Sequence, residues 1–225
     1  MEQWCLAPTE DPAFVSQLED VLDVYRRPSA PTHPVICLDE TSRQLLGETR
    51  PGAPVAPGVA ARHDPDYTRG GIAQLFVVME PLRGWRHVTV GARRTRLDFA
   101  ACIKALVDVQ YPDATKLVLV MDQLNIHTTA SLDAAFPAAE AHRLASRLEI
   151  HHTPKHGSWL TMAELELSVL ARQCLSQRLP DQAAIRDAVT AWADRRNAAI
   201  RTIDWQFTTA DARIKLRRRS PAFDA

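Results

Sequence analysis

Two acidic residues stand where a fold can bring carboxylates together. Asp39 follows the apolar run Val35-Ile36-Cys37-Leu38, and Asp122 follows Leu117-Val118-Leu119-Val120-Met121. Each run reads as a short β-strand ending in an acid, the second as a central strand buried on both faces. Carboxylates at neighbouring strand ends offer hard oxygen ligands at one spot, the donor type that Mg²⁺ selects. A pair of such ions about 4 Å apart around a scissile phosphate is an arrangement that breaks and makes phosphodiesters. A single strand-end Asp is more often a turn or cap residue, so the inference rests on the set.

A third acid must come from the helical stretch after Trp159, where Glu164 and Glu166 compete. At about 100° per residue, Leu160, Ala163, Leu167, Leu170, Ala171, Cys174 and Leu175 cover one arc of a helix. Glu164 falls inside that arc, and Glu166 points away beside Gln173 and Gln177. A carboxylate on a packed face is costly unless it meets a cation or a metal. This selects Glu164 as a ligand and expects Glu166 at the surface; the competing reading of Glu164 is a structural salt bridge. The pair His151-His152 is rejected as a zinc site, because adjacent strand residues face opposite ways.

The elements that must position these acids follow from periodicity. Phe14, Leu18, Val21, Leu22 and Tyr25 recur at helical spacing, predicting an amphipathic helix over 12–27 that Pro28, Pro31 and Pro34 end. Residues 1–33 are thus expected as a helical linker ahead of a domain over 34–225. Residues 50–71, rich in Pro and Gly, read as an exposed loop. Ile72–Met79 and His87–Val90 read as an antiparallel hairpin, making the first three strands a meander. Leu97–Tyr111 reads as a helix with Thr95 and Asp98 as caps, and Thr129–Arg147 as helix broken at Pro137. Leu148–His152 reads as a further strand, then Trp159–Leu179 and Asp181–Ile200 as helices split at Pro180. The expected class is α/β, with a mixed five-stranded sheet flanked by helices.

The 225 residues suffice for one well-buried core. A formal net charge of zero supplies no overall pull toward nucleic acid, so DNA contact must come from local patches. One candidate is the tail, where Arg213, Lys215, Arg217, Arg218 and Arg219 cluster. Cys5, Cys37, Cys102 and Cys174 form no C-x-x-C pair, and three of them fall inside apolar runs that fit buried, reduced thiols in a cytoplasm. No apolar run reaches the roughly 20 residues that span a bilayer, and no secretory signal opens the chain.

The chain from about Val35 to Pro221 resembles the DDE transposases of the insertion sequence 630 family, bacterial relatives of mariner elements. The resemblance is carried by Leu38-Asp39-Glu40-Thr41, by Met121-Asp122-Gln123-Leu124-Asn125-Ile126-His127, and by Thr153-Pro154-Lys155-His156-Gly157-Ser158-Trp159-Leu160 leading to Met162-Ala163-Glu164. Asp204-Trp205-Gln206-Phe207-Thr208-Thr209-Ala210-Asp211-Ala212-Arg213 is similar to the family's C-terminus. It implies a ribonuclease H-like fold with Asp39, Asp122 and Glu164 as catalytic, metal-binding triad, 41 residues separating the last two. It further implies two Mg²⁺ ions, with Mn²⁺ as substitute, cutting transposon ends and joining them to target DNA. Double-stranded DNA carrying terminal inverted repeats would be the substrate, a homodimer the working form, and the bacterial cytoplasm the place, at the nucleoid when DNA is bound.

Asn125, His127, Lys155 and His156 are candidate DNA contacts beside the acids, with Arg217, Arg218 and Arg219 in the tail. Gln123 and Thr161 depart from the Asn that the family generally carries at those positions. The family's N-terminal helix-turn-helix modules have no counterpart, implying that an upstream frame supplies a DNA-reading half or that the chain is a remnant. The alternative readings are a silent, dimerising regulatory module and a stand-alone ribonuclease H-like nuclease.

Overall fold

The structure, a computed structural model, describes residues 12–50, 57–58, 65–155 and 157–219, with side chains through 214. Five strands, β1 (Val35–Glu48), β2 (Tyr67–Glu80), β3 (Trp85–Gly91), β4 (Leu117–Met121) and β5 (Leu148–His152), form one sheet in the order β3-β2-β1-β4-β5. β1, β2 and β3 are the antiparallel meander expected from sequence. β4 then pairs in parallel with β1, and β5 in parallel with β4, so the sheet is mixed.

Strand alternation sorts the core into layers. Ile36, Leu38, Phe76, Val78, Leu117, Leu119 and Met121 face one side, under α2 (Arg96–Ala105), α3 (Ala130–Ala135) and α4 (Ala138–Ser146). The residues between them, Cys37, Met79, Val118 and Val120, face the other side, under α1 (Pro12–Tyr25) and the start of α5 (Met162–Gln173). Further along that face, Leu75, Val77, Val88 and Val90 pack against α5 and α6 (Gln182–Ala198). α7 (Thr209–Arg219) docks on α1 through the pair Arg213–Glu19 at 2.6 Å.

Several elements differ from the sequence expectation for identifiable reasons. β1 does not stop at Asp39 but runs to Glu48, because after Cys37 it parts from β4 while keeping its ladder with β2. β2 begins at Tyr67, inside the loop expected over 50–71, and the remainder of that loop lies largely outside the described residues. The helix expected over 159–179 is shorter: a 3₁₀ turn at Ser158–Leu160 precedes it, and Thr161 caps α5 by accepting from the Ala163 N–H at 3.3 Å. α2 bears the expected Thr95–Asp98 capping box and continues as a π turn over Leu106–Gln110. Gly84, at φ 67°, makes the β2–β3 turn where a Cβ would come within 2.9 Å of the Ile200 backbone, so only glycine suits both the angle and the approach.

Cys37, Cys102 and Cys174 are buried and free, while Cys5 lies outside the described residues. No helix among the described residues is long and apolar enough to cross a membrane.

Candidate active site

The parallel pairing of β1 with β4 brings two acids to the same end of the two strands. Val35 pairs with Val118, Ile36 with Leu119 and Cys37 with Val120. Asp39 and Asp122 each stand two residues beyond the last of these pairs, where β1 parts from β4. By the two-residue alternation both share the face of Cys37 and Val120. That face is covered by Leu160, Met162 and Ala163, so Glu164, in the first turn of α5, follows directly on residues packed there.

Asp39 senses the other two charges. Asp39 is 7% exposed, and its carboxyl is pushed up to about 7 by burial and by the charges of Asp122, Glu164 and Glu40, against the lowering effect of the Glu40 N–H donated to Oδ1 at 2.8 Å. Asp122 is held below the usual carboxylate range, chiefly by its hydrogen bond with His127; Oδ1 lies 2.8 Å from His127 Nδ1 and accepts the Leu124 N–H at 3.0 Å. Among the described residues, Oδ2 of both aspartates takes no hydrogen bond.

No three His, Cys, Asp or Glu side chains among the described residues close on a single metal-sized point. The donor chemistry nevertheless fits a divalent cation: two hard carboxylate oxygens are free, and the repulsion that raises Asp39 is one a cation removes. An expected result follows for the metal-free protein. A carboxyl raised in the folded state costs nothing below its unfolded pKa near 4, and the cost is complete above about 7, so stability falls as pH rises between them. Asp39→Asn should therefore melt higher than the parent at about pH 8, by roughly 1–3 kcal/mol or several degrees, and no differently at about pH 4. Thermal melts in EDTA at the two pH values check this; equal melting at both would remove the buried charge from the account.

His127 is placed differently from the sequence expectation. It is 0% exposed, packs its ring 5.0 Å from Phe99, and bridges Asp122 on Nδ1 to Glu40 on Nε2 at 2.6 Å. An imidazole so enclosed is an interior link and does not reach phosphate at the surface. Burial works against its protonation, but the hydrogen bonds to Asp122 and Glu40, with their charges, raise it to about 9. Sequence reading missed Glu40, although alternation held the signal: next to Asp39 on the strand, it must face the opposite side.

The expected contrast between Glu164 and Glu166 is corrected. Glu164 is exposed, whereas Glu166 is 1% exposed and sits between two arginines. Arg196 meets it with Nε at 2.6 Å and Nη2 at 3.0 Å, and Arg86 Nε lies 3.0 Å away as an ion pair without hydrogen-bond alignment. Arg86, itself 1% exposed, also donates to the carbonyls of Gly84 and Arg201 at 2.7 and 2.6 Å. The helical-wheel reading failed because it left out Met162 and counted Ala171, which is exposed, along with Leu160, Cys174 and Leu175, which lie outside α5; the buried side is Met162, Ala163, Glu166 and Leu170. The outcome is a buried clamp joining β3, α5 and α6.

Asn125 and Lys155 are exposed in the segments after β4 and β5, and these segments are tied together by Gln123, which donates to the Thr153 carbonyl at 3.1 Å. His152 Nδ1 lies 3.0 Å from the Asp122 carbonyl, while His151 turns to Asp20 and Glu149. Gln123 and Thr161, the two departures from the resembling family, serve as inter-loop tie and helix cap. His156 and the side chains of Arg217, Arg218 and Arg219 lie outside what is described.

A family model described as "DDE superfamily endonuclease" matches residues 34–186. Among solved structures, the fold resembles the Mos1 transposase paired-end complex with left transposon end, with TM-score 0.54, 13% identity, and coverage of 89% of this chain and 62% of that one. The Mos1 mariner paired end complex with Mn gives TM-score 0.55 and the Mos1 Strand Transfer Complex 0.54, with the same identity and coverage. At that identity the likeness is one of fold, which is thereby ribonuclease H-like. This chain spans 62% of the length of those chains. No curated protein is a significant match. Since the family match runs from the residue before β1 into α6, well over half of the sequence, the chain belongs to the DDE superfamily endonucleases.

Proposed function

We propose that this chain is the catalytic domain of a DNA transposase of the insertion sequence 630 and mariner kind. It cuts phosphodiesters at transposon ends and transfers the freed 3′ ends into target DNA, acting on duplex DNA as a homodimer. The observation that carries the reading is that Asp39 and Asp122 each stand two residues past the last β1–β4 pair, with the charges of both Asp122 and Glu164 acting on Asp39. In support, the solved structures of similar fold are titled as Mos1 complexes with a transposon end, with Mn and of strand transfer.

In this reading Asp39, Asp122 and Glu164 hold two Mg²⁺ ions, or Mn²⁺ in substitution. When bound, those ions supply activation of water or a DNA 3′-hydroxyl and charge neutralisation at the scissile phosphate. The protein's part is positional. The hydrogen bonds at Asp122 Oδ1 fix that carboxylate with Oδ2 turned free, and the Glu40 N–H does the same for Asp39. The Glu166 clamp fixes the helix that carries Glu164.

The test is cleavage of duplex DNA bearing terminal inverted repeats of an insertion sequence 630 element. Nicks at the repeat ends in Mg²⁺ or Mn²⁺ and none in EDTA are expected. Preferential cutting of RNA–DNA hybrids, independent of the repeats, would instead favour a ribonuclease H-like nuclease, and inertness in both metals would count against the proposal.

A further inference from the structure

The acid cluster poses an electrostatic problem, since a site of three carboxylates repels the phosphate it must approach and the chain's formal net charge is zero. Cations must therefore stand nearby, and the connection from β3 into α2 holds three. Arg93, Arg94 and Arg96 are all exposed, and among the described residues none of their side chains has a hydrogen bond or ion pair. Elsewhere Arg27, Arg86, Arg143, Arg196 and Arg213 are each matched by a carboxylate.

Topology brings this connection to the acids. β3 runs in the same direction as β1, both being antiparallel to β2, so it ends at the same edge of the sheet. Gly91 pairs with Gln74, and Gln74 with Ser42, three residues beyond Asp39. That places the β3 exit about 10 Å along the strands and about 10 Å across them from Asp39. The chain then passes to the opposite face, where Phe99 of α2 meets the His127 ring that bridges to Asp122. The charge of Arg94 already acts on Asp122.

The presentation is also rigid. Asp98, the nearest acid in sequence, accepts the Thr95 N–H at 2.8 Å and the Thr95 hydroxyl at 2.6 Å, so its carboxylate closes the capping box rather than pairing with the arginines. Guanidinium groups on a stapled loop, unpaired and exposed, suit the bidentate contact that phosphate oxygens offer.

The geometry points to the β3–α2 connection as a phosphate-binding rim, in which Arg93, Arg94 and Arg96 hold the backbone of duplex DNA beside the carboxylates. This rests on the function proposed above and adds where the DNA is gripped. The test uses the full chain and a DNA duplex of arbitrary sequence, with affinity measured by fluorescence anisotropy in EDTA over a range of KCl. Arg93→Gln, Arg94→Gln and Arg96→Gln combined should weaken binding by about tenfold or more and flatten the slope of log affinity against log salt by roughly two to three, near 0.9 for each phosphate that is no longer neutralised.

Arg94→Glu should weaken binding more than Arg186→Glu, an equal charge change at an exposed position on α6. Unchanged melting temperature and Mn²⁺ affinity in the triple variant would exclude a folding defect. An unaltered affinity and slope, equal losses from Arg94→Glu and Arg186→Glu, or no DNA binding by the parent chain would overturn the rim. If the arginine losses appear while the parent cleaves no DNA in any metal, the rim stands and the catalytic proposal fails. If cleavage depends on the acids but binding ignores the arginines, the rim alone fails.

Discussion

Asp122→Asn should lower metal-dependent cleavage by about a thousandfold or more while leaving the fold intact. The exchange keeps an oxygen able to accept the Leu124 N–H, so the turn after β4 survives. It removes the charge that a divalent cation needs, in a site where such ions contribute several kcal/mol, and each 1.36 kcal/mol corresponds to about tenfold in rate. Single-turnover nicking of a transposon-end duplex measures the effect, with a thermal melt to show that the variant is folded. Substantial nicking by a folded Asp122→Asn protein would take this carboxylate out of the chemistry.

The second large effect is on stability and lies two residues from the proposed third ligand. Glu166→Ala should destabilise the protein by about 3–5 kcal/mol, because it strands the fully buried Arg86 and takes from the partly exposed Arg196 the carboxylate they share. For a chain of this size, that lowers the melting temperature by roughly 2–4 °C per kcal/mol. Glu164→Gln, at an exposed position, should leave stability within about 0.5 kcal/mol of the parent. Chemical denaturation of the two variants side by side is the check. A large loss from Glu164→Gln and none from Glu166→Ala would reverse the roles assigned to them.

Much of the arrangement was legible in the residues. The continuous apolar run before Asp122 reads as a central strand, and β4 is buried at every position. The meander, β5 and the helix break at Pro137 followed from turn residues and periodicity. What escaped depended on partners distant in sequence. Asp39 lies within β1 because β2 continues to pair beyond it, a ladder that no local pattern announces. Glu166 is buried because Arg86 and Arg196 come from other elements to meet it, and a helical wheel scores the apolar arc without knowing which polar groups are paired. His127 was expected to touch DNA because its motif lies beside an acid, but its Nε2 meets Glu40, 87 residues earlier. The arginines of the β3–α2 connection escape a sequence reading for the same reason: their relation to Asp122 arises from a crossover beneath the sheet.

The central claim is that Asp39, Asp122 and Glu164 together bind a divalent cation. Calorimetric titration with Mn²⁺ tests it most directly, run on the parent chain and on Asp39→Asn, Glu164→Gln and Glu166→Gln below their melting temperatures. Binding by the parent, its loss in Asp39→Asn and Glu164→Gln, and its retention in Glu166→Gln are the predicted results. Mn²⁺ affinity unchanged by Glu164→Gln, or absent from the folded parent chain, would contradict it.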